Sequence, residues 1–111
     1  MSYDVDLVDN YCAHCKRGEN VLGTGGWNYT SNMAPAWCAA GADLAKFDGK
    51  PARDCAPVLG AAIDKMTAFP EFFATFDAPN GWGSMRTLVP ALRQLLAAME
   101  AHPDAIVEVR R

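Results

Sequence analysis

The chain changes from strand to helix within Trp27-Asn28-Tyr29-Thr30-Ser31-Asn32-Met33-Ala34-Pro35-Ala36-Trp37. Rings alternate with polar side chains at its start, which is the period of a strand with one solvated face. Ser31 or Asn32 is able to cap a helix, and Pro35 falls where its missing N–H costs nothing. The segment therefore predicts a strand that leads directly into a helix.

Two further strands are predicted at the ends of the chain. Tyr3, Val5 and Leu7 alternate with aspartates near the amino terminus, and Val107 and Val109 alternate with charged residues near the carboxy terminus. This alternation is typical of strands with one buried face. We expect the first strand to pair antiparallel with the Trp27 strand and to have the last strand beside it.

The region between these strands has helical periodicity. Three apolar stripes are expected to be buried: Met33, Trp37, Ala40, Leu44 and Phe47; Cys55, Leu59, Ala62, Ile63 and Met66; Met85, Leu88, Val89, Leu92, Leu95, Leu96 and Met99. Gly41 weakens the first helix, and Pro90 predicts a kink or a late start in the last. The phenylalanines between Phe69 and Phe76 predict a clamp over the core, on a single helical turn.

These elements predict one α+β domain over residues 1–111. Its core is a small, mostly antiparallel three-stranded sheet, with two strands from the amino-terminal part and one from the carboxy terminus. Three to four helices pack on one face. The sheet edges left open by three strands are compatible with a homodimer.

Composition excludes several classes of function. The net charge is −3, and the Lys and Arg residues form no basic run or face of the kind that binds nucleic acid through its backbone. No apolar segment approaches the length of about 20 residues that spans a membrane. The acidic amino terminus lacks the features of a secretory signal, so a cytoplasmic location is expected.

Cys12 and Cys15 have the Cys-x-x-Cys spacing that allows two thiolates to bind one metal ion. A structural zinc site takes four ligands, and no second pair is present. Cys38, Cys55 and His102 are the candidates that could complete it. The alternative is that Cys12 and Cys15 are two free thiols on a hairpin loop.

Catalytic motifs are absent from the sequence. His14 is adjacent to a thiol, His102 ends a helix, and no metalloprotease, nucleophile-elbow or phosphate-loop pattern occurs. A hydrolase or transferase that uses His14 or a cysteine is the third-ranked hypothesis. A non-enzymatic function is favoured.

Two polar clusters, each directly before a predicted helix, indicate a ligand-binding site. Asn28, Thr30 and Asn32 are alternate residues that share one face of a strand, and Asn80 and Trp82 lie in the loop before the last helix. A helix start flanked by such groups is a seat for a carboxylate or phosphate, while Trp82 could stack on a ring. Tyr29 and Trp37 are expected to form aromatic walls. Alternatively, the amides satisfy backbone groups and the rings are core.

The motifs Asn28-Tyr29-Thr30-Ser31-Asn32-Met33 with Trp37, Asn80-Gly81-Trp82-Gly83 and His102-Pro103-Asp104-Ala105 together resemble an uncharacterised family of small actinobacterial and tailed-phage proteins. The family has no established activity. Its occurrence in phages implies one possible role, which is to bind and sequester nucleotide signals of bacterial immunity, as phage sponge proteins do.

The function predicted from the sequence is therefore non-enzymatic binding of a small ligand, which could be nucleotide-like. The alternative is a protein-interaction or regulatory module in which Cys12 and Cys15 hold zinc, shared between two chains.

Overall fold

The computed structural model describes residues 2–15, 17–21, 26–81 and 83–111. Within these described residues, four strands and four α-helices follow one another: β1 (Ser2–Cys12), β2 (Arg17–Asn20), β3 (Trp27–Thr30), α1 (Ala34–Ala39), α2 (Ala52–Ala68), α3 (Pro70–Ala74), α4 (Met85–Ala101) and β4 (Ile106–Arg110). Two 3₁₀ helices, Ser31–Met33 and Leu44–Phe47, lie on either side of α1. The predicted α+β class is confirmed.

The four strands form one antiparallel sheet around β1. On one edge, β4 pairs with Asp4 to Val8; on the other, β3 pairs with Ser2 to Val5 and β2 with the far half of β1. The pairings predicted for the first, second and last strands are thus confirmed. The sheet has four strands rather than the predicted three, because β1 extends beyond Leu7 and β2 pairs with the extension. The segment that forms β2 has no β-branched or aromatic residue to indicate a strand.

The helices pack on the face of the sheet that carries Val5, Leu7 and Val107, which are fully buried. Helices α2 and α4 contact each other and supply half of the remaining buried core residues. The predicted stripe of α2 is buried throughout, as are Leu88, Leu92, Leu95 and Met99 of α4. Met85, Val89 and Leu96, which also belong to the predicted α4 stripe, are partly buried against this core. Periodicity therefore predicted the buried face of α2 and the centre of that of α4.

The helix predicted from Met33 to Phe47 is wrong as one continuous element. It is divided into α1 and a 3₁₀ helix, because Gly41 adopts a φ of +98° that turns the chain. Asp43 caps the second piece by accepting a hydrogen bond from Ala45 N at 3.1 Å. All five residues of the predicted stripe are nevertheless buried.

Helix α4 begins directly after Ser84, whose side chain accepts from Thr87 N at the helix start. It continues through Pro90, so the expected late start does not occur. Of the predicted aromatic clamp, only Phe73 is buried; Phe69 and Phe72 are 61% and 56% exposed. In the described residues, no helix has the length and apolar character needed to span a membrane.

Candidate functional site

The loop that precedes α4 is held against the start of the first 3₁₀ helix by Gly83. A Cβ atom placed on Gly83 would come 2.9 Å from Met33 Cγ and 3.2 Å from Thr30 Cγ2. The loop is closed by hydrogen bonds from Ala78 N to Gly83 O and from Gly81 N to Ala78 O, at 2.9 and 3.0 Å. These contacts bring the two polar clusters of the sequence side by side.

A surface cavity of about 380 Å³ lies between these two segments and is named here the Asn32–Asn80 cavity. Besides these two asparagines, its lining includes Thr75, Phe76 and Asp77. Phe76 is half-buried and the other four residues are exposed. The cavity therefore combines two amides, a hydroxyl and a carboxylate with an aromatic ring, and its volume is within the range of about 300–1,000 Å³ that is usual for small-ligand sites.

The charges around this cavity do not match the anion-binding site that the sequence predicts. Asp77 Oδ1 accepts a hydrogen bond from Met85 N at 2.7 Å, so a carboxylate of the chain already occupies the amino terminus of α4. At the other cluster, Thr30 Oγ1 accepts from Asn32 N, and the following α1 has only six residues. Because both helix starts have side-chain partners and one carries a negative charge, the cavity favours an uncharged or cationic group.

Asn28 lies away from the cavity, on the outer face of the sheet. Its Nδ2 donates to Asp4 Oδ1 at 2.6 Å and to Ser2 Oγ at 3.0 Å, across the β1–β3 pair. On the same face, Arg110 pairs with Asp6 at 3.0 Å and with the buried Glu108 at 3.5 Å. Asn28 thus belongs to a polar network that ties neighbouring strands together.

Tyr29 and Trp37 lie in the core. Trp37 is fully buried and makes edge-to-face contacts with Tyr3 and Tyr29, at centroid distances of 5.1 and 6.2 Å. Trp37 Nε1 has no acceptor in the described part of the chain. The Tyr29 hydroxyl donates to Ala91 O at 3.1 Å, and burial raises the pKa of Tyr29. Neither ring lines the Asn32–Asn80 cavity; both join β3 and α1 to the core.

Trp82, the ring proposed from the sequence to stack on a ligand, lies outside the described residues. Sequence reasoning missed Thr75, Phe76 and Asp77 as neighbours of Asn32. Their only signal was proximity to Asn80 in the chain, because the contact with Asn32 depends on packing across a long sequence separation.

Cys12 and Cys15 are both exposed; Cys12 ends β1 and Cys15 lies in the turn that follows it. Hydrogen bonds from the side chain and backbone of Cys15 lower the pKa of the Cys12 thiol, and Cys15 N is 3.4 Å from Cys12 Sγ. Among the described residues, no three His, Cys, Asp or Glu side chains converge as a metal site. Cys38, Cys55 and His102 thus do not complete a zinc site with this pair.

A larger groove of about 660 Å³ runs between α2 and α4. It is lined mainly by apolar residues such as Ala56, Gly60 and Leu96, with Arg53 among its charged residues. Arg53 forms an exposed ion pair with Asp104 at 2.8 Å. Because its lining is mainly apolar, the groove offers less basis for ligand selectivity than the Asn32–Asn80 cavity.

Comparison with protein families, with curated proteins and with solved structures found no match for the chain.

Proposed function

We propose that the chain is a non-enzymatic protein that binds a small, nucleoside-like ligand in the Asn32–Asn80 cavity. The observation that carries the proposal is that Asn32, in the 3₁₀ helix after β3, meets the polar segment from Thr75 to Asn80 at one cavity beside the Phe76 ring. An amide offers both a donor and an acceptor, which is the pattern presented by the edge of a nucleobase.

The chemistry of the cavity indicates which part of a ligand it would bind. Asp77 adds a negative charge beside the two amides, so a phosphate group is disfavoured here and a base or sugar is favoured. A ring of the ligand would lie against Phe76. That Trp82 also stacks on the ligand stays a prediction from the sequence, because Trp82 lies outside the described residues. The family resemblance suggests one biological form of this function, a phage sponge that binds the base or sugar of a nucleotide signal and leaves its phosphate outside the cavity.

Titration of ¹⁵N-labelled protein with adenosine, guanosine, cytidine and uridine, followed by amide NMR, tests the proposal. We expect saturable shifts in the side-chain amides of Asn32 and Asn80 with at least one nucleoside. Asn80→Ala should weaken that binding about tenfold, since it removes hydrogen bonds worth about 1–1.5 kcal/mol. Saturable shifts confined to other parts of the chain would exclude this cavity, and no saturable shift with any nucleoside would exclude a nucleoside-like ligand.

A second candidate function is a metal-linked interaction module, and the exposed Cys12–Cys15 pair favours it. Because one chain supplies two thiols here, four-coordinate zinc would take both thiolates from each of two copies. Protein purified without chelator should then contain about one zinc per two chains and sediment as a dimer. Cys12→Ser together with Cys15→Ser should remove both properties. Metal-free protein that remains monomeric when zinc is added would exclude this function.

A further inference from the structure

Three of the four lysines of the chain lie around a further cavity, beside the 3₁₀ helix Leu44–Phe47. This cavity has a volume of about 380 Å³, and its lining includes Cys38, Gly41, Lys46 and Lys50. The third lysine approaches from α2: a Cβ placed on Gly41 would lie 3.8 Å from Lys65 Nζ. The site is named here the lysine cavity.

Among the described residues, the three ammonium groups form no ion pair with a carboxylate. In the described part of the chain, the ion pairs are all made by Arg53 and Arg110, and none involves Lys46, Lys50 or Lys65. Asp43, the one carboxylate in the lining, uses Oδ1 to accept the hydrogen bond from Ala45 N. The concentration of unpaired positive charge is notable because the whole chain carries a net charge of −3.

The charges around this cavity indicate the charge of its ligand. Three ammonium groups and one carboxylate leave an excess of two positive charges, which matches the charge of about −1.5 to −2 on a phosphate monoester near neutral pH. Lysine binds phosphate as a mobile point charge, so three lysines can close around such a group without a fixed geometry.

The remaining lining is suited to an organic group and to non-covalent binding. Val58, which is 42% exposed, and Phe47 provide apolar surface beside the lysines. Burial, followed by the nearby Asp43 carboxylate, raises the pKa of the Cys38 thiol. At neutral pH this thiol is protonated and a poor nucleophile, so it lines the cavity without reacting with a bound ester.

We propose that the lysine cavity is a binding site for a phosphate dianion, through Lys46, Lys50 and Lys65. It is separate from the Asn32–Asn80 cavity, whose carboxylate disfavours the same group. Phosphate binding at this site is a separate function, which the proposed nucleoside binding neither requires nor explains.

The test uses the full-length ¹⁵N-labelled protein, titrated with inorganic phosphate and with phenyl phosphate at constant ionic strength. We expect saturable amide shifts centred on Gly41, Lys46 and Lys50. Lys46→Gln should raise the dissociation constant about tenfold, as expected for loss of one charged hydrogen bond. Arg93→Gln removes the same charge from exposed α4, outside the lining residues, and should change the constant by less than about twofold.

Two results would overturn the proposal. One is the absence of saturable shifts at these residues with both probes; the other is an equal loss of affinity in Arg93→Gln and Lys46→Gln, which would show a general effect of net charge. The two probes distinguish the source of the dianion. Tighter binding of phenyl phosphate supports an organic ester held against Val58, whereas equal binding supports free phosphate.

Discussion

The backbone of Gly83 lies directly against the side chain of Met33. A Cβ atom placed on Gly83 would come 2.9 Å from Met33 Cγ and 3.0 Å from Met33 Sδ, which is too close. Gly83 also has a φ of +147°, which favours glycine. The contact joins the loop before α4 to the strand-to-helix junction, and the Asn32–Asn80 cavity lies between these two segments.

Gly83→Ala tests whether this contact supports the site. The substitution combines an unfavourable backbone conformation with overpacking against Met33, so it should lower the free energy of unfolding by about 3–4 kcal/mol, as measured by urea denaturation. Gly81→Ala is the matched control. Gly81 also has a positive φ, of +76°, but a Cβ there meets nothing within 4 Å. It should cost about 1–2 kcal/mol. Equal losses for the two variants would show that the packing against Met33 contributes nothing.

Tyr29→Phe tests the link between β3 and α4. Loss of the hydrogen bond to Ala91 O should lower the free energy of unfolding by about 1 kcal/mol at neutral pH. The measurement is urea denaturation of both proteins at pH 7.

The difference in stability between the wild type and Tyr29→Phe should depend on pH. Burial raises the pKa of Tyr29 above its unfolded value of 10.0, so the stability that it contributes is complete below pH 10 and falls as the pH rises towards the folded-state pKa. Above pH 10 the wild type should lose stability relative to Tyr29→Phe at about 1.4 kcal/mol per pH unit. A difference between the two proteins that stays constant from pH 8 to 11 would contradict the burial of this hydroxyl.

Asn28→Ala and Asn32→Ala should separate the sheet network from the ligand site. Asn28 donates to Asp4 and Ser2 on the outer face of the sheet, so its loss should cost about 0.5–1.5 kcal/mol of stability and leave ligand affinity unchanged. Asn32→Ala should weaken nucleoside binding about tenfold. Calorimetric titration of both variants with the best-bound nucleoside makes the comparison; a larger loss of affinity in Asn28→Ala would place the site elsewhere.

Much of the fold could be predicted because the apolar residues follow clear periods. The alternation of Val5 and Leu7 predicted β1, and the stripes of α2 and α4 predicted their buried faces. Strand β2 could not be predicted in the same way, because it has no apolar pattern and pairs through its backbone with an extension of β1. The break at Gly41 depends on a single positive φ. It could not be predicted from periodicity, because the buried residues keep a helical spacing across the break.

The candidate site could be predicted in part. Asn32 and Asn80 line one cavity, and each precedes a helix as the sequence indicated. Tyr29 follows the alternation of its strand, which turns it to the face opposite Asn28 and into the core. The lysine cavity was not predicted, because Lys65 lies on α2, far in sequence from Lys46 and Lys50, and joins them only through packing near Gly41.

Binding of a nucleoside-like ligand in the Asn32–Asn80 cavity is tested by thermal unfolding of the wild type and of the Asn32→Ala, Asn80→Ala double variant. Both proteins are measured with nucleosides and with mono-, di- and cyclic nucleotides. A ligand at about 100 times its dissociation constant should add about 2.7 kcal/mol and raise the wild-type midpoint by about 10 °C. We expect such a rise for at least one ligand, and its loss in the double variant. An equal rise in both proteins, or no rise in the wild type with any ligand of the panel, would contradict binding in this cavity.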